Sequence, residues 1–252
     1  MTGSASLAGV MAARDAAGGN FTDDAPGWSP RLRRRFGHAT PDECYEAVLL
    51  GLVGPETDWL DVGCGHDLLP SNPRLARLLA DRARCVVGVD PSDNIERNDF
   101  LHQHCKCRVE DVPVRRRFDL ISMRMVAEHL TDPAAAVAAL GRLARPGGRV
   151  VVYTVGKWSP TALIAASTPR RLHHGVAKAL WGMAREDSFP AAYRLNTRPV
   201  LRRCFAGAGF EEERFLYLDD CRSLARWKFT SALELSAWKL LQAIGLRYPE
   251  QC

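Results

Sequence analysis

Past its first fifty residues, the chain alternates short apolar runs with stretches in which apolar side chains recur every three or four positions. A short run between turn residues predicts a buried strand and the longer period predicts a helix, so their alternation predicts βαβ units laid into a parallel sheet. Strands are expected at residues 59–62, 85–89, 107–109, 118–123, 149–154 and 213–218, with helices at 73–83, 133–143 and 198–208. Chemical signals mark the ends. Asp132 supplies an N-cap before Pro133 at the first helical position, and Gly209 supplies a stop after Ala208. Ahead of the first strand, Thr40, Pro41 and Glu43 form a cap, a first-turn proline and a capping-box acid. They open a helix to about residue 53 whose Cys44, Ala47 and Val48 share a face.

Three segments stand outside this alternation. Residues 1–26 are rich in Ala, Gly, Ser and Asp and have no sustained period, which predicts a flexible arm ahead of one domain spanning 27–252. Residues 157–195 lie between the fifth strand and its helix and carry Trp158, Trp181, Phe189 and Tyr193; too long for a bare loop, they predict a helical lid. Residues 219–248 predict a helical extension, a pair of helices anchored by Trp227, Leu233, Leu235 and Trp238. A chain of 252 residues can bury one substantial core. Its 46% hydrophobic and 25% charged residues exclude wholesale disorder without separating an enzyme from a binding module.

The net charge of +5 is modest, and apart from a knot at Arg31, Arg33, Arg34 and Arg35 the basic residues are dispersed. A solvated face, or a contact to a small acidic substrate, is expected there in place of a nucleic-acid surface. No apolar run approaches the roughly 20 residues that span a bilayer. With no basic-then-apolar leader at its start, the protein is expected to be cytoplasmic and to make no membrane contact. The 8 cysteines are scattered through strands and helices, which suits reduced thiols packed as small hydrophobes.

The first strand runs into Leu60, Asp61, Val62, Gly63, Cys64 and Gly65. Glycines at a strand-to-helix turn let the backbone bend sharply and meet a ligand closely, although an ordinary tight turn has the same composition. The second strand ends at Asp90, where a carboxylate can accept both hydroxyls of a ribose laid across the sheet's crevice. Together they favour an adenosine-containing cofactor. The third glycine of a dinucleotide-binding GxGxxG is absent, since His66, Asp67 and Leu68 follow Gly65. An acid, Asp61, instead precedes the turn, placed to order the loop and face a cationic group. Leu69, Pro70, Ser71, Asn72 and Pro73 lengthen the turn, with Ser71 or Asn72 capping a helix that starts late.

From residue 58 to 153, with a weaker echo to 215, the chain resembles the class I S-adenosylmethionine-dependent methyltransferases. The likeness is to the branch that holds the ubiquinone-biosynthesis and other small-molecule enzymes. It rests on LDVGCG at 60–65, VVGVD at 86–90, EDVP at 110–113, FDLI at 118–121, AEHL at 127–130 and RPGGRVVV at 145–152, in that order and spacing. The resemblance implies a doubly wound, mostly parallel Rossmann-like α/β sheet, S-adenosylmethionine as cofactor with S-adenosylhomocysteine as its product, and a small-molecule acceptor. Oxygen is the preferred acceptor atom and nitrogen the next. Carried over by position, Asp61, Gly63, Cys64 and Gly65 surround the methionine moiety and Asp90 with Pro91 lies at the ribose. Val109, Glu110 and Asp111 then lie beside the adenine, and Arg124 to His129 follow the fourth strand beneath the reacting sulfur. Two departures stand out: family members commonly have a third glycine where this chain has Asp67, and an acid where it has Arg108. Asp67 either bonds the cofactor's ammonium group directly or faces solvent.

Methyl transfer from a sulfonium requires an acceptor lone pair held in line, so the protein needs to aim the acceptor and, for a hydroxyl, take a proton. His129 is the first candidate for that base or orienting group, because imidazole titrates near neutrality and the position follows a strand's carboxyl end. A structural hydrogen bond in the strand-end loop is its other reading. Glu128 can do the same work or complement a helix dipole. Tyr153, Trp158, Trp181, Tyr193 and Arg194 are placed either to wall an acceptor or to pack the lid.

His102, His104, Cys105 and Cys107 invite a zinc reading, but strand alternation sends neighbours to opposite faces and the spacing fits no usual structural site, so no metal is expected. His173 and His174 are expected to face solvent. The fold's final antiparallel strand is expected to be missing or shortened, leaving an edge that terminal helices or the second subunit of a homodimer would protect. Two rival readings remain. One is a methyltransferase of RNA or protein, which needs a broad basic or open acidic surface; the other is an inert partner subunit that binds the cofactor or its product.

Overall fold

The computed structural model describes residues 30–157, 192–221 and 227–246. The expected arm at 1–26, almost all of the expected lid, and with it Trp158, Trp181, His173 and His174, lie outside the described residues. Contacts divide the chain into two compact units, and the whole sheet belongs to the first, whose described residues are 42–154 and 192–215.

Strands β1 (Asp58–Val62), β2 (Cys85–Val89), β3 (Gln103–Cys105), β4 (Phe118–Arg124) and β5 (Ala144–Tyr153) form one sheet in the order β3-β2-β1-β4-β5. Every neighbouring pair is parallel. The helices are α1 (Pro30–Phe36), α2 (Pro41–Leu52), α3 (Pro73–Arg82), α4 (Pro133–Leu143), α5 (Arg198–Gly207) and α6 (Lys228–Ala243).

The pleat of β1 sorts its side chains. Leu60 and Val62 enter one cluster with Ala136, Val137 and Leu140 of α4, against which Leu201 and Phe205 of α5 pack. Trp59 enters the other, with Leu49 of α2 and Leu75 and Leu79 of α3. Helices therefore cover both faces, and the near-continuous burial of β1 follows from that. Both flanking helices begin as their sequences dictate: Asn72 Oδ1 accepts the Leu75 amide at 3.1 Å and Asp132 Oδ1 the Ala135 amide at 3.1 Å, each with a proline at the first helical position.

At the amino edge of the sheet, Asp58 accepts from Arg84, Arg116 and Arg145. Burial pushes its carboxyl up, but the guanidiniums outweigh burial and hold its pKa below the usual value. This cluster ties down the end of the sheet opposite the one that carries the glycine turn.

Three expectations differ from what is found. The third strand is Gln103–Cys105, and residues 109–111 form a short 3-10 turn. Gln103 and His104 are exposed at the sheet's edge, so the strand lacks the apolar run that marks its neighbours, while Val109 is apolar because it packs in the core from a turn. Of residues 213–218 only Leu218 makes a bridge pairing. Glu212 and Glu213 there bond Arg198 at 2.6 Å and Arg149 at 2.9 Å. In place of two terminal helices, the described part of 219–246 contains one, α6.

The second unit includes described residues 30–41, 155–157, 216–221 and 227–246. Its core joins Cys221, Leu235 and Trp238 to Leu32 and Phe36. Arg33, only 1% exposed, donates to the carbonyls of Asp220 at 3.0 Å and Cys221 at 3.3 Å, and Trp238 Nε1 donates to Asp219 at 2.6 Å. Among the described residues no helix is long and apolar enough to cross a membrane.

Candidate functional site

The strand order reverses its direction of growth at β1, so the carboxyl ends of β1, β2 and β4 border the crevice where ligands of such sheets bind. The chain leaves β1 through Gly63 and Gly65, both left-handed, with φ of +71° and +49°. A Cβ at Gly63 would collide with the Val126 side chain from the loop after β4, so the backbone passes where only glycine fits. Two bonds fasten this corner to β2: the Gly63 amide donates to Val89 O at 2.7 Å, and the Gly65 amide donates to Asp90 Oδ2 at 3.0 Å. Asp90 Oδ1 accepts the amide and hydroxyl of Ser92 at 2.8 and 2.6 Å. The acid at the tip of β2 is thus oriented at the crevice, half-buried, beside a turn that lacks side-chain bulk. These residues fit an adenosyl cofactor: the carboxylate keeps lone pairs for ribose hydroxyls and the bare corner allows close approach.

Beneath the corner sits Asp61, 4% exposed, on the face of β1 that carries Trp59. Its register partner on β4 is Ser122, whose hydroxyl donates to Asp61 Oδ1 and accepts Trp59 Nε1 at 2.6 Å. Burial, aided by the charge of Asp90 and opposed by Ser122 and Arg124, raises the Asp61 pKa from 3.8 to about 7. Burial, then the Asp61 charge, also pushes Tyr45 of α2 far above its usual range. Cys64 is buried at the corner, its thiol pushed up by burial and by Asp61 and Asp90. Arg124 ends β4 with its guanidinium bound to Asp42 of α2 at 2.7 Å and lying 5.8 Å from the Tyr153 ring.

The loop after β4 is a turn held from two sides. Met125 N–H donates to Tyr153 O at 2.7 Å, with Met125 itself left-handed at φ +54°. Glu128 O accepts the Ala192 and Tyr193 amides at 2.6 and 3.0 Å, and Arg194 donates to Thr131 O at 2.7 Å. The Glu128 carboxyl is buried and accepts the Thr154 hydroxyl at 2.7 Å, and Thr154 accepts Asn196 Nδ2 at 2.8 Å. Burial raises the Glu128 pKa against that bond and the nearby charges of His129 and Arg124. His129 is partly exposed. Tyr193, half-buried at φ +50°, has its hydroxyl pKa raised by burial and by Glu128.

The sequence candidates therefore gather unequally. Asp61, Gly63, Cys64, Gly65 and Asp90 form one compact corner; Arg124, Glu128, His129, Tyr193 and Arg194 gather at the loop after β4. Val109 is buried in the same cluster as Val62 and Val89 at the strand tips, with Glu110 on its turn, its carbonyl accepting from Arg142 at 3.3 Å, and Asp111 exposed. Pro91 is exposed beyond Asp90. Asp67 pairs with the exposed His66 at 3.1 Å. His102 Nδ1 accepts the Val86 amide at 2.9 Å, and the sulfurs of Cys105 and Cys107 touch at 3.1 Å. Among the described residues no group of His, Cys, Asp or Glu is arranged to hold a metal ion.

Sequence reasoning missed several buried polar residues of this site. Asn98, in the connection after β2, donates to Cys64 O at 3.3 Å and Gly65 O at 3.2 Å. Glu46 of α2 accepts Ser71 at 2.6 Å and Asn72 at 3.2 Å, clamping the lengthened turn. Asp42, Ser122 and Thr154 complete the set. Ser122 and Thr154 show in the sequence only as polar residues inside apolar stretches, and Asn98 and Asp42, among polar neighbours, give no signal.

Comparison with known proteins places this geometry. A family model described as a methyltransferase domain matches residues 28–213. The ubiquinone biosynthesis O-methyltransferase of Rhodopseudomonas palustris (strain BisB18) is 37% identical over 113 residues, 41% of this chain and 42% of that protein. The one from Xanthomonas oryzae pv. oryzae (strain PXO99A) is 30% identical over 149 residues, 52% of this chain and 59% of that protein. The chain thus spans about half the length of the curated relatives it matches. An S-adenosylmethionine dependent methyltransferase from Mesorhizobium loti shares the fold, with a TM-score of 0.51 at 16% identity, over 84% of this chain and 95% of that one.

Proposed function

Because the chain belongs to the methyltransferase-domain family, we propose that it is an S-adenosylmethionine-dependent enzyme that methylates a small molecule, at oxygen in preference to nitrogen. One observation carries this reading: a left-handed glycine corner bonded directly to an acid at the tip of the neighbouring strand. The O-methyltransferase names of two relatives support oxygen as the acceptor atom. Dispersed positive charge supports a small acceptor over nucleic acid; a cytoplasmic enzyme, alone or as a homodimer, completes the proposal.

When bound, the cofactor supplies a methyl group activated by a sulfonium. Asp90 accepts the ribose hydroxyls, with Pro91 beside it. Gly63 and Gly65 would let the methionine end approach closely beside Cys64, with the buried Asp61 beneath it. Asp67 would pair with its ammonium group. Val109 supplies an apolar wall for the adenine, flanked by Glu110 and Asp111. Arg124, fixed by Asp42, offsets the carboxylates around it. His129 takes the proton of an acceptor hydroxyl at an imidazole nitrogen. Glu128 holds the loop that carries it through its bond from Thr154. Tyr193 and Arg194 wall the acceptor.

Calorimetry with S-adenosylhomocysteine tests the cofactor assignment. The wild-type protein binds it, and Asp90→Ala weakens binding by about tenfold or more, the usual consequence of losing hydrogen bonds to a charged group. Unchanged affinity in the variant removes the ribose contact; no binding by the wild type removes the cofactor. Incubation with methyl-labelled S-adenosylmethionine and a metabolite pool, followed by mass spectrometry, identifies the acceptor and its atom.

A further inference from the structure

Asn98 has no place in the sequence motifs, yet the glycine corner depends on it. It lies in the connection from β2 to β3, just past the short 3-10 turn Asp93–Arg97, and is 7% exposed. Its Nδ2 donates to Cys64 O at 3.3 Å and to Gly65 O at 3.2 Å, while its Oδ1 accepts the Phe100 amide at 3.2 Å. Asp90, at the start of the same connection, accepts the Gly65 amide at 3.0 Å. The peptide groups on both sides of Gly65 are therefore gripped from one loop, the amide by a carboxylate and the carbonyls by an amide donor.

Such a grip matters at a glycine. Gly65 has no Cβ to restrict it, and nothing would crowd an added Cβ there, so sterics do not select its left-handed conformation. Hydrogen bonds must do so. Free to rotate, the peptide after Gly65 would turn its carbonyl toward the crevice and set a partial negative charge where a ligand carboxylate or ribose oxygen has to lie.

We propose that Asn98 is a positioning residue for the cofactor, holding the Cys64 and Gly65 carbonyls out of the crevice so that the corner is preformed for the adenosyl ligand. The inference rests on the S-adenosylmethionine reading of this corner. The donor character of the side chain is essential to it: an isosteric carboxylate fills the same space and still accepts from Phe100, but opposes oxygen to two carbonyl oxygens. The corner contacts ground state and transition state alike, so its disorder costs binding and leaves the chemical step intact.

Asn98→Asp and Asn98→Ala, compared with the wild type, test this. S-adenosylhomocysteine affinity is expected to fall about tenfold or more in both variants, more in Asn98→Asp, as befits the loss of one buried and one partly buried hydrogen bond. The KM for S-adenosylmethionine should rise in parallel, with kcat within about twofold of wild type. Amide exchange at Gly65 and His66 should accelerate while the amides of β1 and β4 keep their protection. A folded Asn98→Asp that binds the product as tightly as the wild type overturns the proposal, as does a fall in kcat at unchanged KM. Should Asn98→Asp fail to fold, Asn98→Ala decides by the same measures. A wild-type protein that binds no product would defeat the cofactor reading alone, and exchange at Gly65 would still report whether Asn98 orders the corner.

Discussion

Asp61 shows how one position can be plain in sequence and still acquire its properties from neighbours. An acid before a glycine turn is visible in the chain, but its protonation is set by burial against Tyr45 and by the Ser122 hydroxyl beside it. Its folded pKa of about 7 exceeds the unfolded value near 3.8, so between those limits the folded protein keeps a proton that the unfolded chain releases. Stability is unpenalised below the window and declines as pH rises through it. Asp61→Asn keeps an acceptor for Ser122 and never ionises, so it escapes that decline. Urea unfolding at pH 5 and pH 8 should show the variant gaining on the wild type at the higher pH, by up to about 2–3 kcal/mol. Equal pH dependence in the two proteins would mean that Asp61 ionises normally. Gly63 and Gly65 were legible for a simpler reason: their backbone conformation restricts the residue type directly. Asn98, Glu46 and Asp42 were not, because nothing adjacent in the chain shows what they touch.

Helix starts were legible wherever capping is local. Asn72 and Asp132 each accept an amide three residues on, as a cap before a proline should. The two caps nonetheless differ in their surroundings, since Asn72 is fully buried and also donates to the buried carboxylate of Glu46. Asp132→Ala should cost about 1 kcal/mol, and Asn72→Ala about 2–3 kcal/mol because it strips a donor from a charged group. Urea denaturation midpoints check the ranking, and equal costs would deny the Glu46 clamp. Strand recognition followed burial. Central β1, β2 and β4 are buried along most of their length; β3, at the edge, is largely exposed, and the apolar Val109 beyond it belongs to a turn. The run at 213–218 reads as a strand by its place in the alternation, yet only Leu218 makes a bridge, and Glu213 and the preceding Glu212 bond Arg149 and Arg198.

Each of the two compact units has a core of its own, and the second depends on a buried arginine. Arg33 satisfies two carbonyls in the chain leading to α6, so Arg33→Ala leaves both without that donor. Hydrogen exchange is expected to accelerate through α1 and α6 while the amides of β1, β2 and β4 keep wild-type protection; loss of protection throughout would show that the units unfold as one. Periodicity, caps and glycine conformation fixed the α/β class, the central strands, the order of the motifs and the corner at Gly63, because each is a property of a few consecutive residues. The pairs Arg124 with Asp42, Asn98 with Cys64 and Gly65, Thr154 with Glu128, and Asn196 with Thr154 join positions far apart in the chain. They exist because strand order and helix crossovers bring distant segments to one edge of the sheet, where burial obliges each polar group to find a partner that local pattern does not encode.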